Sequence, residues 1–287
     1  MIVPMRLSVW RQRPFTAQNL KIFSLVLFVV AMLPRLAALN TFITPDELNW
    51  VHRSVLFHQA LRQGEWVATL TTGHPGVLTT WLGAVGVHVQ LWLRPSDAAV
   101  YDWITHLAWL APENTAAFPK LATFLSAGRL AVATVNSLGL VGIFWLVRRL
   151  MTDWPAAVAV GLLALDPFVA GLSGLLHVDG LMTTFTTISL LTLAIALSGL
   201  KNPRSAVFSR VPFAFTAVSG AAAGCAMLAK SAGLTLLPFV GVAFVVAILA
   251  WRSRWRQLVF LGAIWFSAMT AVQFLLLPAL WVNPLGS

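Results

Sequence analysis

"PGVLTTWLGAVGVHVQLWL" (75–93) is apolar and close to the length needed to cross a bilayer. Whether it crosses fixes the sidedness of everything after it. A membrane span needs about 20 apolar residues. Seven other runs have that character, at 22–39, 130–147, 155–175, 181–199, 212–229, 233–250 and 257–280. Basic clusters mark the cytoplasmic ends of spans. Here they are Arg6/Arg11/Arg13/Lys21, Arg148-Arg149, Lys201/Arg204/Arg210 and Arg252/Arg254/Arg256, which together hold 12 of the 19 Lys and Arg residues. Successive clusters after Arg149 are two spans apart, so all can be cytoplasmic together. Reaching Arg148 from the N-terminus then takes an odd number of crossings, yet two apolar runs follow the first span. One of them must not cross. Residues 75–93 carry His88, Gln90, internal glycines and an initial proline, and no basic cluster follows. They read as a juxtamembrane or re-entrant helix on the outer side. The fold class expected is therefore an all-α polytopic membrane protein with about seven transmembrane helices and an external C-terminus. Its parts are a first span (22–39), an external loop with juxtamembrane helices (40–120) and six further spans (121–280).

Composition agrees. Hydrophobic residues make up 59% of the 287 residues and charged residues only 10%, where a soluble domain has about a quarter charged. Mean hydropathy is +0.82. A net charge of +10 raises nucleic acid as a partner, but the arginines fall in short clusters between apolar runs. That is a topology signal, and no nucleic-acid partner is expected. A lone cysteine, Cys225, excludes an intrachain disulfide. The N-terminal run fits a cleaved signal loosely and a first anchor helix equally well.

Only nine carboxylates occur, and under this topology all but Asp153 are external or embedded. Two of them, Asp46 and Glu47, stand side by side just past the first span. Helix rise places other ionisable residues on the same rim. Arg129 precedes Arg148 by 19 residues, roughly 28 Å along a helix and close to one hydrocarbon thickness. By the same count Lys230 and Asp179 fall at outer turns. Asp46, Glu47, His74, Arg129, His177, Asp179 and Lys230 thus map to one membrane face, where costly ionisable groups mark a functional path. Carboxylates can take a proton from an acceptor. Cations can neutralise a departing phosphate, Arg through its fork of donors and Lys as a point charge. His74, His177, Asp179 and Glu47 could instead hold a divalent metal, although their spacing matches no metal motif. Plainer roles exist for each. Thr44 followed by Asp46 and Glu47 makes a good helix start. Arg129 and Lys230 could anchor at head groups. His74 could cap a helix and His177 could occupy a turn. Asp166, beside Pro167, could be a buried acid bonded to a neighbouring span.

The ordered set of motifs resembles the GT-C glycosyltransferases, in the branch of protein O-mannosyltransferases and bacterial aminoarabinose transferases. An acidic pair stands in the first external loop ("PDELNWVHRS", 45–54), and a His-Pro opens a juxtamembrane helix ("TGHPGVLTTWLG", 72–83). An Arg begins the next span ("SAGRLAVATVNSLGL", 126–140) and a basic turn follows ("VRRLMTDWP", 147–155). A small-loop Asp ("HVDGLMTTF", 177–185) and a Lys turn ("LAKSAGLTLLP", 228–238) complete the set. Gly76 stands where the mannosyltransferases usually have a second proline, and Gly180 where an Ala often follows the Asp. The resemblance implies an inverting enzyme that transfers sugar from a polyprenyl-phosphate donor to an external acceptor (protein hydroxyl, lipid or glycan). In it Asp46 and Glu47 would be catalytic, and His74, Arg129, His177, Asp179 and Lys230 would bind substrate. It also implies an integral protein of the bacterial inner (plasma) membrane with its site on the external face. Family members extend further, so the chain is expected to represent their N-terminal module. The competing functions are a lipid-linked sugar transporter or flippase, with Asp166-Pro167 as its one supporting feature, and a non-catalytic scaffold derived from a truncated transferase.

Overall fold

The computed structural model describes residues 15–71, 76–107, 114–200 and 210–282. Among these there are helices and no strands. In chain order they are α1 (Ala17–Ala37), α2 (Pro45–Gln63), α3 (Val77–Leu93), α4 (Ala98–Thr105), α5 (Ala117–Leu150), α6 (Asp153–Leu165), α7 (Pro167–Gly174), α8 (Val178–Leu200), α9 (Arg210–Ala229), α10 (Leu236–Ala250), α11 (Trp255–Leu276) and α12 (Ala279–Val282), with short 3₁₀ turns between some of them. Six helices, α1, α5 and α8 to α11, are long and apolar enough to cross a membrane, the α10 span including its leading 3₁₀ turn. A seventh span results if α6 and α7 count as one. The chain is an all-α polytopic membrane protein. Large apolar side chains on α1, α10 and α11 face outward, among them Leu25, Leu33, Phe239, Val242, Leu249, Phe260 and Phe266, as a lipid-facing surface requires.

Three departures from the sequence reading have physical causes. First, α5 starts at Ala117 and runs for 34 residues, about 51 Å against a hydrocarbon core of about 30 Å. Its early turns bury Leu121, Phe124 and Leu125 in a cluster with Val51 and Val55 of α2 and Val77 and Val87 of α3. Apolar residues there face protein, and α5 becomes the post that carries the first loop. Second, the expected span 155–175 is broken at Asp166-Pro167 and bends by 61°. Proline cannot continue the ladder of the preceding turn, and Asp166 starts a new helix instead by accepting from Val169 N–H at 2.8 Å. Asp166, which could have bonded a neighbouring span, is engaged by its own chain. Third, the last expected span ends early, at Leu276, before Pro278.

Within the membrane-spanning part, α9 lies against α11 through Gly220 and Gly224. A Cβ on Gly220 would sit 2.1 Å from the carbonyl oxygen of Trp265. Small residues four apart let helix backbones approach this closely. At the other end α3, a shorter apolar helix of 17 residues, ties the first loop to α11. The indole of Trp81 donates to the carbonyl of Leu276 at 2.7 Å.

Candidate active site

The neighbours Asp46 and Glu47 do opposite things. Thr44 starts α2, with Pro45 in its first turn. Consecutive residues on a helix are separated by about 100°, so the two carboxylates cannot share a face. Asp46 is 71% exposed and Glu47 is 0% exposed.

Glu47 turns inward to Arg129. Its Oε1 accepts from Arg129 Nε at 2.6 Å and from Leu176 N–H at 3.0 Å. Its Oε2 accepts from Arg129 Nη2 at 2.6 Å and from the backbone N–H and hydroxyl of Thr44 at 3.1 and 3.0 Å. Arg129 has five N–H donors, and all are used. Besides Glu47 it reaches the carbonyls of Ala38 and Leu39 through Nη1 and of Phe42 through Nη2. The pair therefore fastens α5, the end of α1, the start of α2 and the turn before α8 to one another. Burial pushes the Glu47 carboxyl up. The Arg129 hydrogen bond, the Thr44 and Leu176 N–H groups and the Arg129 charge outweigh it and hold the carboxyl below its ordinary range.

Asp46 faces a cleft of about 490 Å³. One wall is the face of α2 that carries Asp46, Asn49, Trp50 and Arg53, spaced as neighbours on a helix surface. The other is the turn that starts α8 and the turn that follows α9, with His177, Asp179, Lys230 and Ser231. Four of these side chains form a row in which two carboxylates alternate with an imidazole and an ammonium. Asp46 Oδ2 is 3.5 Å from His177 Nε2, His177 Nδ1 is 3.3 Å from Asp179 Oδ2, and Asp179 Oδ1 accepts from Lys230 Nζ at 2.6 Å. The N-terminal turn of α8 favours the Asp179 carboxylate. Lys230 sits in extended backbone between α9 and the following 3₁₀ turn, which aims it back across to α8. Arg53 stacks on Trp50, 4.7 Å from the ring centroid.

Of the seven residues read from the sequence, Asp46, His177, Asp179 and Lys230 come together. Glu47 and Arg129 come together elsewhere and do not line the cleft. His74 lies outside the described residues. Of the two cations expected beside a phosphate, Lys230 lines the cleft and Arg129 has no donor to spare. The same enclosure removes Glu47 from any metal set. Among the described residues no three His, Cys, Asp or Glu side chains converge as a metal site. Asn49, Trp50 and Arg53 went unread, although the helical spacing from Asp46 pointed to them. His52 and His58 are buried packing residues, bonded to the Leu107 carbonyl and to Tyr101 and His88.

Gly76, which replaces the second proline, has a direct steric cause. A Cβ there would lie 2.1 Å from the Trp50 ring, so any larger residue displaces the indole that floors the cleft. Gly180 is similar: its Cβ would be 2.7 Å from Ser173 Cα.

A family model for dolichyl-phosphate-mannose-protein mannosyltransferase matches residues 112–285. The chain belongs to this family. The match covers more than half of the sequence and includes Arg129, His177, Asp179 and Lys230. No curated protein matches the chain. Membership in the mannosyltransferase family, with the helices long enough to cross a bilayer, makes this an integral membrane protein of the GT-C glycosyltransferases, whose donor is lipid-linked.

Proposed function

We propose that the cleft between α2 and the outer turns of α8 and α9 is the transfer site of an inverting, polyprenyl-phosphate-dependent glycosyltransferase, open to the external face. One observation carries this. A solvent-exposed carboxylate, Asp46, and two cations, Lys230 and Arg53, line a single cleft at one end of the bundle. Asp46 takes the proton of the acceptor hydroxyl as its oxygen attacks the anomeric carbon. The bond from that carbon to the phosphate oxygen breaks, and the polyprenyl phosphate leaves with the electron pair. Lys230 and Arg53 offset the charge that develops on it. His177, held between Asp46 and Asp179, orients the base. The acceptor is external and bears a nucleophilic hydroxyl on a protein, lipid or glycan. The transport reading rests on the break at Asp166-Pro167, where the carboxylate is already engaged in starting α7.

Lys230→Ala is expected to weaken donor binding at least about tenfold, the range for removing one partner of a close charge pair, and to slow turnover as well. Titrating a short isoprenyl-phosphate sugar against variants of matched stability measures this. Unchanged affinity would leave Lys230 as a structural partner of Asp179 only. The face of the site is tested separately in a Cys225→Ala background. Cysteines at 46, 95 or 179 should react with a membrane-impermeant thiol reagent in intact cells, and cysteines at 149 or 254 only after permeabilisation. The reverse pattern would put the cleft in the wrong compartment, and protection at 95 would mean that α3 crosses.

A further inference from the structure

Arg35 is the second fully enclosed arginine, and the cleft does not account for it. It lies in the last turn of α1 and is 1% exposed. Its Nε and Nη2 donate to Ser173 Oγ at 3.0 and 2.5 Å, and its Nη1 to the carbonyl of Ala31. These acceptors are all neutral. Arg129, by contrast, has a carboxylate and three carbonyls. No ion pair among the described residues includes Arg35. Three of its five donors are used, which leaves one N–H on each terminal nitrogen without an acceptor among the described residues. A buried charge with no counter-charge is among the costliest arrangements in a fold, so the site favours an anion.

A small cavity of about 60 Å³ lined in part by Arg35 lies between α1, α5, α7 and α8. Asn136, Ser173, Thr183 and Thr184 supply its polar wall, and Leu140, Phe168, Val169 and Leu172 its apolar wall. Asn136 and Thr184 are committed to holding the wall: Asn136 donates to the Ser173 carbonyl at 3.0 Å and Thr184 donates to Asn136 at 2.7 Å. Thr183 stands at the rim, exposed. Phe168 is 73% exposed on the apolar surface of α7, so the mouth opens toward the bilayer. A single water needs roughly 10–15 Å³ of such space, and ordinary ligand pockets begin at about 300 Å³. The cavity therefore suits a compact oxyanion and excludes a sugar ring. Depth agrees as well. Arg35 is about one helical turn below Ala38, whose carbonyl Arg129 holds, and so lies beneath the clamp near the outer end of α1. The first turn of α8 separates the two sites, with Asp179 in the cleft wall and Gly180 in the wall of the cavity.

We propose that the Arg35 cavity is a second lipid-phosphate site, which holds the phosphate of a membrane-resident isoprenyl phosphate that enters laterally past Phe168. It would receive the sugar-free carrier, the product of the transfer reaction. This rests on the lipid-linked donor class and not on the assignment of residues in the cleft.

The test is a titration of the purified chain, in neutral-lipid nanodiscs, with farnesyl phosphate, farnesol and inorganic phosphate. Two farnesyl phosphates should bind per chain. Lys230→Ala should weaken the cleft site, and Arg35→Gln should abolish the other. Thr183→Trp, which fills the rim without touching the Arg35 bonds, should also abolish it if Arg35→Gln fails to fold. Arg35→Lys should retain it at least about tenfold more weakly, since the ammonium keeps the charge and loses the fork. Farnesol should not compete. Unaltered stoichiometry in Thr183→Trp overturns the proposal, as does inorganic phosphate binding as tightly as the lipid. A Lys230→Ala variant indistinguishable from wild type counts against the cleft reading alone, because the Arg35 variants are scored on the other site.

Discussion

Asp46→Asn should lower turnover by two orders of magnitude or more and leave donor affinity nearly unchanged. Loss of a positioned general base typically costs about 10²–10⁴ in rate. Asp46 is the one carboxylate of the acidic pair that reaches the cleft, and its side chain is open to an incoming acceptor. The amide is nearly isosteric, so the geometry of the row is kept while the proton acceptor is lost. The measurement is single-turnover transfer from a lipid-linked sugar by full-length enzyme, with donor binding followed in parallel. Near-normal turnover would mean that Asp46 only begins α2 and that the cleft is not the transfer site. A parallel drop in donor affinity would instead assign Asp46 to organising Lys230 and Arg53.

The sequence made the rim legible because depth can be counted. Residue number alone set Lys230, Asp179 and Arg129 at one level; Asp179 lies in the first turn of α8 and Lys230 just after α9, while Arg129 is well inside α5, which begins earlier than expected. What counting cannot supply is azimuth, the direction in which a side chain leaves its helix. Asp46 and Glu47 have the same depth and part by a rotation. Arg129 and Lys230 share a depth as well, yet one is inside the bundle and the other in the cleft. Azimuth was available for α2, where positions 46, 49, 50 and 53 define one face and 47 falls off it. For α5 it was hidden, because "FPKLATFL" (118–125) has the same apolar character whether it meets lipid or α2 and α3. Arg35 was visible as a charge inside an apolar run, a signal of function in a membrane helix. It went unread although it lies within the first span as drawn, in the last turn of α1.

Breaking the Glu47–Arg129 pair should cost more stability than any other single substitution considered. Both groups are at most 1% exposed, and removing one partner of such a pair typically costs about 3–5 kcal/mol because the other charge stays buried. Domains are stable by about 5–15 kcal/mol, so Glu47→Gln or Arg129→Ala should unfold well below the wild-type temperature in detergent. Arg129→Lys should be destabilised too, since three donors on one ammonium cannot span acceptors on α2 and at the end of α1. Replacing both by Leu and Met would not restore the protein, although that exchange often rescues isolated buried pairs. Here the carbonyls of Ala38, Leu39 and Phe42 and the N–H of Leu176 would lose their partners, each at about 1–3 kcal/mol. Acidity should act through the same pair. The folded-state carboxyl of Glu47 is held below its unfolded value of 4.5. Its contribution is therefore complete above about pH 4.5 and is lost as pH falls through the lowered folded value. Glu47→Gln should flatten the acid limb of a thermal-stability profile. The opposite result has a clear form: an Arg129→Lys protein that melts with the wild type but no longer binds an isoprenyl phosphate would move Arg129 from the clamp to the donor.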